Sequence, residues 1–277
     1  MTNVTDKNNA FSEFERSGWN STASVYDSHF GKHTAKYCSA LLDATNISSG
    51  FKVLDMACGP GYVSAAATQR EAIVLGIDFA PNMIAEAKAK HPSINFQTDN
   101  AEQLSLADNT FDAVVMGFGM LHLAQPEAAA LEANRVLVPE GRFGFSVWGV
   151  PENVCIGTGI ILRAMQDHAN MDLDLPEGPP MFRFADRDES TRLLDQAGFI
   201  NIEVQLVEQA WLLENATDLL DTFQEAGVRA GAVLRAQSAE VMQKIREQVV
   251  ADAAPYRKND KYEFPMGAVI TSGQKRR

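Results

Sequence analysis

Val53-Leu54-Asp55-Met56-Ala57-Cys58-Gly59-Pro60-Gly61 is the stretch that decides the fold. An apolar run carries one carboxylate near its end and passes directly into two glycines. That order reads as a buried strand turning sharply into a helix, because glycine reaches backbone conformations closed to other residues and leaves a ligand free access to the main chain. Asp55 stands where a pyrophosphate-binding turn would have an apolar residue. A carboxylate repels a diphosphate and attracts an ammonium or sulfonium. Read from Gly59, the pattern is Gly-x-Gly-x-x-Ser, so the third glycine of the dinucleotide fingerprint is missing. Asp78 ends the next apolar run, about twenty residues on, where an acidic side chain can accept both ribose hydroxyls. Together these features select an adenosyl ligand with a cationic tail.

Outward from this turn, residues 51 to 148 alternate short apolar runs with helical patterns, as parallel strands joined by helical crossovers do. Strands are expected over Phe51 to Met56, Ile73 to Asp78, Ile94 to Thr98, Phe111 to Met116 and Arg142 to Trp148. Helices are expected from Gly61 to Arg70, from Pro81 and from Pro126 to Leu137, the prolines suiting a first helical turn. After Trp148 the pattern predicts helix over 154 to 170, then a proline-rich loop around Pro176, Pro179 and Pro180. Further helices are expected over Ser190 to Ala197, stopped by Gly198, and over Asn215 to Ala226 and Ala239 to Ala253. Ile200 to Glu208 reads as a sixth strand and Phe264 to Ser272 as a closing one. The fold class is therefore α/β, Rossmann-like, with a seven-stranded mostly parallel sheet, helices on both faces and a partly helical substrate cap. One domain is expected over 1–277, with 20–150 as cofactor-binding core and 1–48, 151–192 and 213–262 as cap elements.

Composition narrows the partners. The 277 residues carry 36 acidic and 24 basic side chains, a net charge of −12, which repels phosphate backbones and argues against a nucleic-acid substrate. Cys38, Cys58 and Cys155 are widely spaced, with no metal-ligand pattern, and read as free thiols in a reducing compartment. The polar first residues lack the order of a secretory signal, and no apolar stretch is long enough to span a bilayer, so a cytoplasmic address is expected.

The opening stretch resembles the first motif of class I S-adenosylmethionine-dependent methyltransferases, close to the ubiquinone and menaquinone biosynthesis branch and to small-molecule methyltransferases of natural-product and secondary metabolism. Gly76-Ile77-Asp78-Phe79-Ala80-Pro81-Asn82-Met83, Asn100-Ala101-Glu102-Gln103-Leu104 and Arg135-Val136-Leu137-Val138-Pro139-Glu140-Gly141-Arg142 follow in the order of that family's later motifs. The resemblance implies that S-adenosyl-L-methionine is the co-substrate, with no metal. It places Asp55, Ala57 and Gly59 along the methionine part, Asp78 at the ribose, and Phe79 and Met83 against the adenine faces. Asn100 would meet the exocyclic amine, Ala101 a ring nitrogen, and Gly117 the methionine. Asn100 stands where the family usually has Asp, and Asp99 is an alternative for that contact. Glu140 replaces a usual glycine.

The resemblance also makes Tyr26 part of a lid, on a helix expected over Trp19 to Tyr37. His122, just past the fourth strand, is a candidate general base whose ordinary titration range suits proton transfer near neutrality. A base is needed only where the acceptor must lose a proton. His29 and His33 fall on one helix face without a third ligand, so no metal site is expected. Phe118, Trp148, Phe182, Phe184 and Trp211 are candidates for an apolar acceptor pocket, implying a ring-bearing or otherwise apolar small molecule. A NAD(P)-dependent oxidoreductase shares the strand alternation and glycine turn, although Asp55 weighs against it. A non-catalytic protein that binds S-adenosylmethionine also fits the motifs. The sequence leaves open the acceptor atom and the choice between monomer and homodimer.

Overall fold

A computed structural model describes residues 4–277. Its central sheet has seven strands: β1 (Lys52–Met56), β2 (Ile73–Asp78), β3 (Asn95–Thr98), β4 (Phe111–Gly117), β5 (Leu137–Trp148), β6 (Phe199–Val207) and, later in the chain, β10 (Ala268–Lys275). They lie in the order β3-β2-β1-β4-β5-β10-β6. The first five pair in parallel, whereas β10 runs antiparallel to both β5 and β6. β1 lies inside the sheet between β2 and β4, and Val53, Leu54 and Met56 are fully buried, as a strand covered by helices on both faces requires.

Helices preceding and linking these strands are α1 (Val4–Tyr26), α2 (Lys32–Thr34), α3 (Cys38–Ala44), α4 (Tyr62–Gln69), α5 (Pro81–Lys90) and α6 (Pro126–Val136). After β5 come α7 (Ile156–His168), α8 (Arg187–Gln196), α9 (Thr217–Ala226), α10 (Arg229–Arg235) and α11 (Ala239–Ala253). Prolines open α5 and α6, and Gly198 ends the turn after α8 at φ +88°. The Asp186 carboxylate caps α8 by accepting from the Asp188 and Glu189 amides.

Three expectations are corrected by the structure, and one helix was not foreseen. The N-terminal helix is already formed at Val4, well before Trp19, and a π-helical turn over Asp27–Gly31 separates it from α2. The run Phe264 to Ser272 is not one strand. Lys261–Pro265 forms β9 in a separate sheet ordered β7-β9-β8, with β7 at Ala210–Leu213 and β8 at Arg257–Lys258. At Met266 and Gly267 the chain crosses to the main sheet, the Gly267 amide donating to the Val154 carbonyl at 2.6 Å. An unbroken apolar run hides such a crossing, because both sheets bury it. The short helix α10 contains Gly231, which weakened its helical signal. β5 reaches back to Leu137, but its regular pairing with β4 begins at Arg142, after a register shift. Glu140 occupies that irregular turn at φ +68°, a conformation that explains why glycine suits the position.

Candidate functional site

Crevice and chamber meet in one cavity of about 650 Å³ beyond the carboxyl ends of β1, β2 and β4. Its floor begins at the β1–α4 turn. The two glycines there do different work: a Cβ at Gly59 would meet nothing within 4 Å, whereas one at Gly61 would press on Phe96 at 2.9 Å. Gly59 opens main chain to a ligand, and Gly61, at φ +87°, lets the turn close on its own core.

Asp55 lies wholly buried at the tip of β1. Its Oδ2 accepts from the Ser64 hydroxyl at 2.6 Å, while Oδ1 has no partner among the described residues. Burial pushes its carboxyl up to about 7. An orphaned acceptor in such a place is costly unless a cation or donor completes it. It lines a small recess that adjoins the main cavity, the two sharing walls at Tyr26, Thr34, Ala57, Gly59, Gly117 and Phe118.

Asp78, at the end of β2, accepts from the Gly59 amide through Oδ2 and from the Ala80 amide through Oδ1, both at 2.9 Å. Burial raises it to about 6, against those two bonds. Phe79, Met83, Asp99, Asn100, Ala101 and Gly117 also line the cavity. The Asp99 carboxylate is engaged with the Asn100 amide and with Ser105, and Asn100 Oδ1 accepts from the Glu102 amide at 3.0 Å. Asn100 thus keeps its amide group and a second carbonyl lone pair for a ligand. Phe118 follows β4 in a left-handed conformation, φ +56°, held by Ser146, whose carbonyl and hydroxyl both accept from its amide. A bulky residue there stores about 1–3 kcal/mol of strain, a cost concentrated at functional sites.

Trp148 packs beside Phe118, ring centroids 4.1 Å apart, and both face the cavity. The other three expected pocket aromatics do not form its wall. Trp211 is fully buried behind Trp148 and stacks on His33 at 4.4 Å. Phe184 packs on Phe145 beneath the sheet, with the Arg183 guanidinium over its ring, and Phe182 leans on core neighbours. Position after a strand end brought these rings near the site, but β7 and the turn before α8 direct them into core. His29 bonds Thr222 and Glu225, His33 stacks on Trp211, and the described residues hold no group of three or more metal-ligating side chains.

His122 lines the cavity, its Nδ1 lying 2.9 Å from Glu15 Oε2. Glu15 is nearly inaccessible and also accepts from Trp19 Nε1 at 3.1 Å. Trp19 stands edge-on to the His122 ring at 4.7 Å. Glu15, Trp19 and Phe11 are wall residues that sequence reasoning missed. No local motif joins Glu15 to a histidine 107 positions away. Only an earlier start for the amphipathic helix would have pointed to them. Leu162, Met165, Met171, Met181, Val228 and Val233 complete an apolar chamber.

The fold, with its crevice beyond β1, β2 and β4, is that of the α/β methyltransferases. Residues 54–145 match the family described as a methyltransferase domain. A demethylmenaquinone methyltransferase of Paenarthrobacter aurescens is 30% identical over 177 residues, covering 61% of this chain and 70% of that protein. Another from Beutenbergia cavernae is 36% identical over 112 residues, covering 40% of this chain and 47% of its own length. Among solved structures, YcgJ from Bacillus subtilis aligns at TM-score 0.56 and 17% identity, over 89% of this chain and 99% of that one. Phosphoethanolamine N-methyltransferase 2 of Haemonchus contortus, solved with S-adenosylhomocysteine, aligns at 0.53 and 17%, over 87% and 53%. These two likenesses concern the fold. The chain belongs to the class I S-adenosylmethionine-dependent methyltransferases, on the menaquinone and small-molecule side of that family. It is an S-adenosylmethionine-dependent methyltransferase, and the oxidoreductase alternative falls away.

Proposed function

We propose that the enzyme methylates a ring hydroxyl of an apolar small molecule, with His122 as the base. The observation that carries this is a cavity with His122 in a largely apolar wall, beside a smaller recess in which the Asp55 carboxylate keeps one oxygen unpartnered among the described residues. Asp55 Oδ1 and the open approach at Gly59 fit the ammonium of S-adenosylmethionine, Asp78 its ribose, and Phe79, Met83, Asn100 and Ala101 its adenine. Tyr26, Ala57, Asp99 and Gly117 complete that end. Bound there, S-adenosylmethionine supplies a methyl group carried on a sulfonium. The protein's own part is to align the acceptor, exclude water and take its proton. Phe118 and Trp148 offer ring faces where the two ends meet, and α1, the segment 151–182 and α9–α10 act as the cap. Relatives named for demethylmenaquinone support an apolar, ring-bearing acceptor.

Release of S-adenosylhomocysteine, followed across a panel of hydroxylated ring compounds and highly polar acceptors, tests the reading. Turnover of apolar hydroxylated rings is expected. Activity confined to highly polar acceptors, or a normal rate in His122→Ala, defeats it.

A further inference from the structure

The histidine comes from the 3-10 turn that follows β4, but the carboxylate beside it comes from α1. Glu15 Oε2 takes two donors, Trp19 Nε1 at 3.1 Å and His122 Nδ1 at 2.9 Å, and Glu15 is 2% exposed. Nε2 of His122 has no partner among the described residues and the ring lines the chamber. α1 is seated by contacts outside the chemistry. Asn20 receives the Asn82 amide at 2.8 Å and its carbonyl receives Asn82 Nδ2 at 3.0 Å. Asp27 pairs with Lys90 at 2.9 Å and Lys7 with Glu177 at 2.9 Å. Gly18 lies so close to Val228 that a Cβ would stand 2.3 Å from its methyl. The same helix carries Trp19 and Tyr26 onto Phe79, Ala80 and Met83, the adenine floor of the crevice.

We propose that Glu15 is a positioning residue: seated by α1, it holds the Nδ1–H tautomer of His122, so that the Nε2 lone pair faces an acceptor hydroxyl only when the lid helix is closed over the cofactor. A carboxylate accepts and does not donate, so a neutral imidazole bonded to it carries its proton on Nδ1. That is the opposite of the tautomer a free neutral imidazole prefers in water. In the reaction the acceptor O–H bond breaks, its proton passes to Nε2, and the oxygen forms the bond to the methyl carbon. The C–S electron pair returns to sulfur, giving neutral S-adenosylhomocysteine. The resulting imidazolium lies beside the buried carboxylate until water takes the proton. The inference rests on His122 as base, and it adds a gate, since the base is armed by the element that covers the cofactor.

Nitrogen-15 spectra of the imidazole rings, recorded on the full chain with S-adenosylhomocysteine, read the tautomer without any acceptor. His122→Asn identifies the signal among the 5 histidines. The neutral His122 ring is expected as Nδ1–H, collapsing in Glu15→Leu, which removes the acceptor, to a mixture of tautomers while S-adenosylhomocysteine affinity by calorimetry stays within about twofold. With an acceptor found in the turnover panel, Glu15→Leu should lower kcat by about 10²-fold or more, the scale of acid–base contributions. A neutral Nε2–H ring in the native protein, or an unchanged spectrum in Glu15→Leu, overturns the proposal. Loss of activity in His122→Ala together with a normal Glu15→Leu rejects the positioning role alone. A normal His122→Ala rejects the base and with it the function proposed above.

Discussion

Asp55 and Asp78 show how one side-chain type serves two purposes under different partners. Asp78 spends both oxygens on backbone amides and still borders the cavity, so its removal leaves the Gly59 and Ala80 amides unpaired as well as any ribose hydroxyl. Asp78→Ala is expected to weaken S-adenosylmethionine by about 1–3 kcal/mol, read by calorimetry. Asp55 has a carboxyl raised to about 7, well above its unfolded value, so the free protein holds an extra proton between those limits. Its share of stability is present in acid and is lost as pH rises through about 7. A ligand ammonium favours the ionised form, so cofactor affinity should fall as pH drops below about 7, with a proton released on binding. Calorimetry in two buffers of different ionisation enthalpy reads that proton directly. Asp55→Asn should raise the melting temperature of the free protein at pH 8 by roughly 2–4 °C per kcal/mol regained and abolish the shift that S-adenosylmethionine produces. The acid at the tip of the first strand and the acid at the tip of the second were legible because a short motif held each. The Glu15–His122 pair was not, because its members meet only in space.

At the scale of elements, α1 does more than its sequence suggested. The helix expected from Trp19 to Tyr37 is already formed at Val4, and its early part reaches the loop at Glu177 and Gly178, where a Cβ on Gly178 would strike Phe11 at 2.1 Å. The π-helical turn at Asp27–Gly31 is a break of the kind found at hinges and functional sites. Gly18→Val, by overfilling the contact with Val228, should tilt α1 at a cost of about 1–3 kcal/mol. Turnover and S-adenosylmethionine affinity are expected to fall together, while far-UV circular dichroism stays native. Equal turnover in that variant would show that α1 tolerates displacement. The sheet was legible because each strand from β1 to β5 has its own apolar run and its own turn chemistry. The small β7-β9-β8 sheet was hidden because β7 and β8 span only four and two residues, too short for a period to show.

For the molecule as a whole, acid stability depends on a histidine remote from any acidic partner. His33 is 3% exposed, both its ring nitrogens are unpaired among the described residues, and burial holds it down at about 4. Unfolding returns it to its ordinary range, so the unfolded chain binds the extra proton, and this contribution to stability is lost as pH falls from about 6.5 to about 4. His33→Phe, which keeps a flat ring against Trp211, should flatten that part of the stability curve in urea titrations at successive pH values. An unchanged slope would assign the acid sensitivity to other groups. Among the described residues no helix is long and apolar enough to cross a membrane.

The placing of β10 between β5 and β6 has a consequence for biogenesis. Residues 268–275 reach the tunnel exit after every other strand, so the sixth strand waits without a seat beside the fifth while more than 60 residues are translated. During that interval the nascent chain shows the ribosome's surroundings an unpaired β5 edge that includes Phe143 and Phe145, the edge that β10 later takes.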